Sequence, residues 1–133
     1  MYTAGLVRMG AMTKILIAED EKMLNEAYML ILKKQGYKVV SAFDGEEAYK
    51  LFKDGPADLI LLDLRMPKLD GVSFLKKLRP QKNYPDTKII IFSNYDDQKE
   101  VQEAIDLGAD RYILKAWSSP SELIKIVEET LRS

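Results

Sequence analysis

Leu59-Ile60-Leu61-Leu62-Asp63-Leu64-Arg65-Met66-Pro67-Lys68-Leu69-Asp70-Gly71 is the stretch that decides how the chain folds. Its first four residues are apolar without alternation, as in a strand covered on both faces. Asp63 follows them directly, and an ionisable group there is costly unless it meets a partner. Pro67 and Gly71 then punctuate the way into the next segment. Two further stretches have the same form: Ile15-Leu16-Ile17-Ala18 runs into Glu19-Asp20-Glu21, and Ile89-Ile90-Ile91-Phe92 runs into Ser93. Val39-Val40 and Tyr112-Ile113-Leu114, the latter running into Lys115, are shorter and fit strands nearer a sheet edge.

Helix-length amphipathic segments separate these runs. Leu24, Ala27 and Ile31, with Met23 and Leu30 beside them, follow helical spacing, and Gly36 has the place of a C-terminal cap. Asp44 with Glu47, and Asp97 with Glu100, have capping-box spacing, and Gly108 closes the helix that Asp97 opens. Ser119-Pro120 with Glu122 starts the last helix, whose apolar face is Leu123, Ile126, Val127 and Leu131. Five strand–helix pairs with short connections predict an α/β domain over residues 13–133. Its expected form is a doubly wound, five-stranded parallel sheet of flavodoxin-like order 2-1-3-4-5, with helices on both faces. Residues 1–12 lack the layout of a signal peptide and read as an expression scar, an alternative start or a loose tail.

Composition narrows the chemistry. Among 133 residues there is no cysteine and no histidine, which excludes disulfides, thiolate catalysis, imidazole bases and nearly every zinc site. Carboxylates, lysines and hydroxyls remain, and they suit hard, oxygen-liganded cations. A net charge of -1 argues against direct nucleic-acid binding. The basic group Lys76, Lys77, Arg79 and Lys82 reads as a solvated helix end. The longest apolar run, Ala27 to Leu32, falls far short of the roughly 20 residues that cross a bilayer, so a cytoplasmic protein without a membrane partner is expected.

In an open parallel sheet the ligand site lies beyond the carboxyl ends of the strands, at the switch in strand order. Glu19, Asp20, Asp63, Ser93 and Lys115 all fall there. Two like charges 4 Å apart repel by about 4 kcal/mol at an effective dielectric near 20, so three clustered acids call for a divalent cation. Magnesium suits such a set, manganese being the alternative, and Lys115 adds a second positive charge. The result is a pocket for a phosphoryl group with a carboxylate placed as nucleophile.

From Lys14 to about Arg132 the chain resembles the receiver domains of two-component response regulators, close in size to the single-domain chemotaxis type. The motifs that carry the resemblance are Ile17-Ala18-Glu19-Asp20-Glu21, Leu61 to Gly71, Phe92-Ser93, Gly108-Ala109-Asp110 and Tyr112-Ile113-Leu114-Lys115. It implies that Asp63 accepts a phosphoryl group from a sensor histidine kinase or phosphotransfer protein. It also implies that Glu19, Asp20, Asp63 and the Arg65 backbone carbonyl bind magnesium. By the same resemblance Lys115 and Ser93 hold the phosphoryl oxygens, and Tyr112 is the switch aromatic that alters the face of the fourth helix, fifth strand and fifth helix.

The sequence departs from the family pattern at Ala116, where proline with a cis peptide is usual, and at Asn94, where alanine is usual. Arg65 and Tyr95 flank the route of water to an acyl phosphate, and the expectation is that Arg65 pairs with phosphoryl oxygens while Tyr95 shields them, slowing self-dephosphorylation. Trp117 reads as a packing or partner-facing residue. Two alternatives remain. One is a magnesium-dependent aspartyl phosphatase of haloacid dehalogenase type, which wants an acid where Arg65 stands. The other is a receiver-like module that never takes phosphate. Because the chain ends at Ser133, output is expected through the domain's own surface to an unknown protein, as a monomer or a weak phosphorylation-dependent dimer without enzymatic activity beyond self-dephosphorylation.

Overall fold

A computed structural model describes residues 13–79, 86–94, 96–115 and 119–133. Ten elements alternate along the chain: β1 (Lys14–Ala18), α1 (Lys22–Lys34), β2 (Lys38–Ala42), α2 (Gly45–Asp54), β3 (Leu59–Asp63), α3 (Gly71–Leu78), β4 (Lys88–Ser93), α4 (Gln98–Asp106), β5 (Arg111–Leu114) and α5 (Pro120–Arg132). All strand pairs are parallel and the order is β2-β1-β3-β4-β5, with the two short runs at the edges as their length implied.

Successive residues of the central strands point to opposite faces, and this splits the core in two. Leu16, Ile60, Leu62, Ile89 and Ile91 pack with Ala48 and Phe52 of α2, Phe74 and Leu75 of α3, and Val101 and Ala104 of α4. Ile15, Ile17, Leu59, Leu61, Ile90 and Phe92 pack with Tyr28 and Leu32 of α1 and Leu123 and Val127 of α5. The rings of Tyr28 and Phe92 stack at 4.8 Å. Register sets the functional rim: Ala18 lies beside Ala42 and Leu62, Asp63 beside Phe92, and Ser93 beside Leu114.

The helix ends follow the sequence at most positions. Gly36 and Gly108, at φ of 95° and 103°, close α1 and α4. In each, the glycine N–H and the next N–H donate back to carbonyls of the last turn: Gly36 to Lys33, Tyr37 to Leu32, Gly108 to Ile105 and Ala109 to Ala104. Ser119 and Glu122 form a complete capping box. Asp44 accepts from the Glu47 N–H at 2.8 Å, and Glu47 accepts from the Phe43 N–H at 2.7 Å.

Two expectations are corrected. The inward face of α1 is Asn25, Tyr28 and Leu32, with Leu24 and Ile31 partly buried against the core as expected, whereas Met23, Ala27 and Leu30 are exposed, Met23 at 85%. The register is set by where the helix leaves β1. Asp97 stands at the start of α4 but makes no side-chain cap. Its carboxylate instead accepts from the Asn94 N–H at 2.8 Å with one oxygen and pairs with Arg65 through the other, a charge-assisted contact that suits a buried charge.

Candidate functional site

Each side chain at the rim is delivered by a strand end. Glu19 leaves β1, with its own N–H bonded to the Ala42 carbonyl at 3.1 Å. The fully buried Asn25 fastens this junction from α1, its amide donating to the carbonyls of Glu19 at 2.9 Å and Ala42 at 3.0 Å. Sequence reasoning missed Asn25, and the signal was an asparagine at a position where helical spacing demands an apolar residue.

Asp63 is the last residue of β3, and Gly71 explains how the chain turns so tightly past it. A Cβ on Gly71 would lie 2.7 Å from the Asp63 carbonyl oxygen and 2.8 Å from the Leu64 Cα, so only glycine lets α3 begin against the strand. Between them the Leu69 N–H donates to the Pro67 carbonyl at 2.8 Å around Lys68, whose φ is 70°. This γ-turn is a strained conformation for a residue with a side chain.

Glu19, Asp20 and Asp63 each offer a carboxylate oxygen, and these three atoms lie within 4.8 Å of one another. Glu19 and Asp63 are almost fully buried, each 2% exposed, while Asp20 is open to solvent. Lys115, at the end of β5, bridges the acids: its Nζ is 2.9 Å from Glu19, 3.1 Å from Asp63 and 3.4 Å from Glu21. Burial, then the neighbouring Asp63 charge, pushes the Glu19 carboxyl up to about 8. Burial also raises Asp63, against the Lys115 charge that pulls it down. Burial pulls Lys115 down, but its hydrogen bond to Glu19 and the charges of both acids outweigh this and raise it.

Two buried acids here share one lysine, with a third carboxylate beside them. An all-oxygen donor set with one solvent-facing carboxylate is what magnesium takes while keeping part of its water shell, so these residues fit that ion.

The Ser93 hydroxyl, at the end of β4, is fully buried and has no hydrogen-bond partner among the described residues. Tyr112 is 51% exposed and lies, with Ser93, Asn94, Val101, Ile105 and Leu114, along a cavity of about 240 Å³ beside α4. The Arg65 N–H donates to Asp63 at 3.2 Å, yet its guanidinium turns away from the acids, onto Asp97 and onto Glu100 at 3.1 Å. Its expected pairing at the phosphoryl position is therefore not the arrangement of this state. Tyr95, Ala116 and Trp117, and with Ala116 the Lys115–Ala116 peptide, lie outside the described residues. Of the basic group, Lys76 pairs with Glu103 at 3.3 Å, Lys77 lies 4.5 Å from the centre of the Tyr49 ring, and Arg79 donates to backbone carbonyls of Leu107 and Gly108; Lys82 is outside the described residues.

A family model described as the response regulator receiver domain matches residues 15–128. The chain belongs to that family. Receiver domains accept a phosphoryl group in two-component signalling and work with sensor histidine kinases, and this chain is a phosphoacceptor domain of that class. Among its relatives, the uncharacterized transcriptional regulatory protein YcbL of Bacillus subtilis (strain 168) is 39% identical over 103 residues, which are 77% of this chain and 44% of the relative. The alkaline phosphatase synthesis transcriptional regulatory protein PhoP of the same organism is 38% identical over 120 residues, 90% of this chain and 48% of the relative. This receiver thus spans about half the length of the curated relatives it matches.

Solved structures agree. The Francisella response regulator 1452 receiver domain superposes with a TM-score of 0.80 at 35% identity, covering 90% of this chain and 97% of that one. The Vibrio cholerae chemotaxis protein CheY4 superposes with a TM-score of 0.81 at 28% identity, covering 89% and 98%. Among the described residues no helix is long and apolar enough to cross a membrane.

Proposed function

We propose that residues 13–133 form the receiver and that Asp63 is its phosphoacceptor, taking the phosphoryl group from a phosphohistidine of a sensor kinase or phosphotransfer protein in the cytoplasm. The observation that carries the reading is Asp63 itself, a carboxylate at a strand end, buried against Glu19 and Lys115 and sharing a carboxylate cluster with the exposed Asp20. An Asp63 carboxylate oxygen attacks phosphorus, the bond from phosphorus to the histidine nitrogen breaks, and its electron pair stays on the imidazole. The product is an acyl phosphate.

Glu19, Asp20, Asp63 and the Arg65 backbone carbonyl would hold magnesium, whose charge offsets that of the incoming phosphoryl oxygens. Lys115 stands within reach of the same oxygens and orients them. The unpartnered Ser93 hydroxyl gains a partner by turning toward an added phosphoryl oxygen. That movement opens space along the cavity it shares with Tyr112, and the ring turns inward, reshaping the face of α4, β5 and α5 for an output partner. The domain acts as a switch without turnover of its own beyond losing its phosphoryl group, at a rate tuned by Arg65 and Tyr95. Whether the active form is a monomer or a dimer follows from what that face binds.

Intact mass after incubation with acetyl phosphate and magnesium tests the assignment. The wild type gains one phosphoryl group and Asp63→Asn gains none. Equal labelling of both places the acceptor elsewhere, and sustained hydrolysis of a small phosphoester would favour the aspartyl phosphatase reading.

A further inference from the structure

Helix α4 buries only two residues, Val101 and Ala104. Three basic side chains from the β3–α3 segment hold it from outside. Arg65 pairs with Asp97 and Glu100 at its first turn, Lys76 pairs with Glu103 in its middle, and Arg79 donates to the Leu107 carbonyl at 3.1 Å and the Gly108 carbonyl at 2.7 Å at its end. Only the first of these clasps is rooted at the phosphoacceptor, since the Arg65 N–H bonds the Asp63 carboxylate.

We propose that Asp97 and Glu100 are positioning residues for Arg65, and that phosphorylation of Asp63 makes the guanidinium change partners. This rests on the phosphoacceptor reading above. In the present state Lys115 already serves Asp63 and Glu19, while Asp97 is fully buried and the oxygen not held by the Asn94 N–H pairs with Arg65. The added phosphoryl group brings about -1.5 to -2 charge and three acceptor oxygens, enough to compete with the two carboxylates for the guanidinium.

Room for the exchange exists. An open cavity of about 630 Å³ runs from Asp20 past Arg65 to Glu100. Once Arg65 leaves, Asp97 cannot stay buried with only the Asn94 N–H, so its carboxylate must move away from Asn94 to be hydrated. Asn94 follows Ser93, and Asp97 stands immediately before the first residue of α4. The exchange therefore carries the event at Asp63 to the helix by a route separate from Ser93 and Tyr112, and Asp97 sets how readily it occurs.

Acetyl phosphate labelling and subsequent phosphoryl loss, both followed by intact mass with magnesium present, test the proposal in the full chain. Asp97→Asn is compared with wild type, with Arg65→Ala and with the double variant. Releasing Arg65 by Asp97→Asn should speed labelling and slow loss by about threefold to tenfold, and the same substitution should change neither rate when Arg65 is already alanine. Glu100→Gln, at a half-buried position on the helix surface, should act in the same direction more weakly and covers the case that Asp97→Asn does not fold. Equal effects of Asp97→Asn with and without Arg65, or no effect of either acid variant, overturn the exchange while leaving Asp63 as acceptor. A wild type that takes no phosphoryl group overturns both readings.

Discussion

Glu19 shows what a receiver site costs a protein at the scale of one residue. Its carboxyl ionises near 4.5 in an unfolded chain and near 8 in the fold. Between these values the folded state holds a proton that the unfolded state has released, so stability falls as pH rises and the loss is complete above pH 8. Burial moves Asp63 in the same direction. In the metal-free protein the thermal midpoint should therefore drop from pH 5 to pH 8.5, and Glu19→Gln should flatten the profile; an unchanged slope in the variant would assign the proton elsewhere. Lys115 supplies the complementary case. Its cation faces both buried acids, and Lys115→Met should destabilise the metal-free fold by about 3 kcal/mol at pH 8 and by less at pH 5, where the acids can protonate. Denaturant melts at the two pH values measure the difference.

At the scale of the element, the joint between β3 and α3 is where local preference and tertiary packing disagree. Alanine in place of a helical glycine ordinarily gains about 0.5–1 kcal/mol. At Gly71 the new Cβ meets backbone of Asp63 and Leu64, which cannot yield as a flexible side chain does. Gly71→Ala is expected to lose about 1–3 kcal/mol and to slow labelling by acetyl phosphate, because the strain falls on the carbonyl of the phosphoacceptor. A stability unchanged or raised in a denaturant melt would show that α3 shifts freely. The helix ends give a contrast. Ser119→Ala removes a purely local capping box, so a loss of about 1 kcal/mol with normal labelling is expected. Such local devices were legible in the sequence: the Ser119 box, the Asp44 cap and the glycines at 36 and 108 need only neighbours in the chain. Asp97 was misread for the opposite reason. Its spacing to Glu100 fits a cap, but its partner Arg65 is distant in sequence and tertiary contact decided the outcome. The strand ends bearing Glu19, Asp63, Ser93 and Lys115 were legible because long apolar runs stop at them, whereas Asn25 was hidden by being polar on an inward face.

At the scale of the whole molecule, the near-neutral charge of -1 conceals a separation: one rim gathers Glu19, Asp20, Glu21 and Asp63, with the Lys115 cation against three of them. Folding gathers these acids against their repulsion, and an ion that binds only the gathered set must stabilise the fold in return. The stabilisation grows as RT ln(1 + [L]/Kd), about 2.7 kcal/mol at one hundred times Kd, which raises the melting temperature of a domain this size by several degrees. Magnesium should accordingly raise the thermal midpoint of the wild type in a concentration-dependent way, and more at pH 8 than at pH 5, since protons compete for Glu19. Asp20→Asn removes the solvent-facing carboxylate without disturbing buried packing, so it should abolish most of the rise while leaving the metal-free midpoint nearly unchanged. Asp63→Asn separates the two roles of the acceptor: it should raise the metal-free midpoint at pH 8 by relieving Glu19, and also weaken the response to magnesium. A rise of equal size in all three proteins would mean that the ion acts elsewhere. The opposed signs expected for Asp63→Asn follow from a site whose instability when empty is the same charge density that binds the ion and then the phosphoryl group.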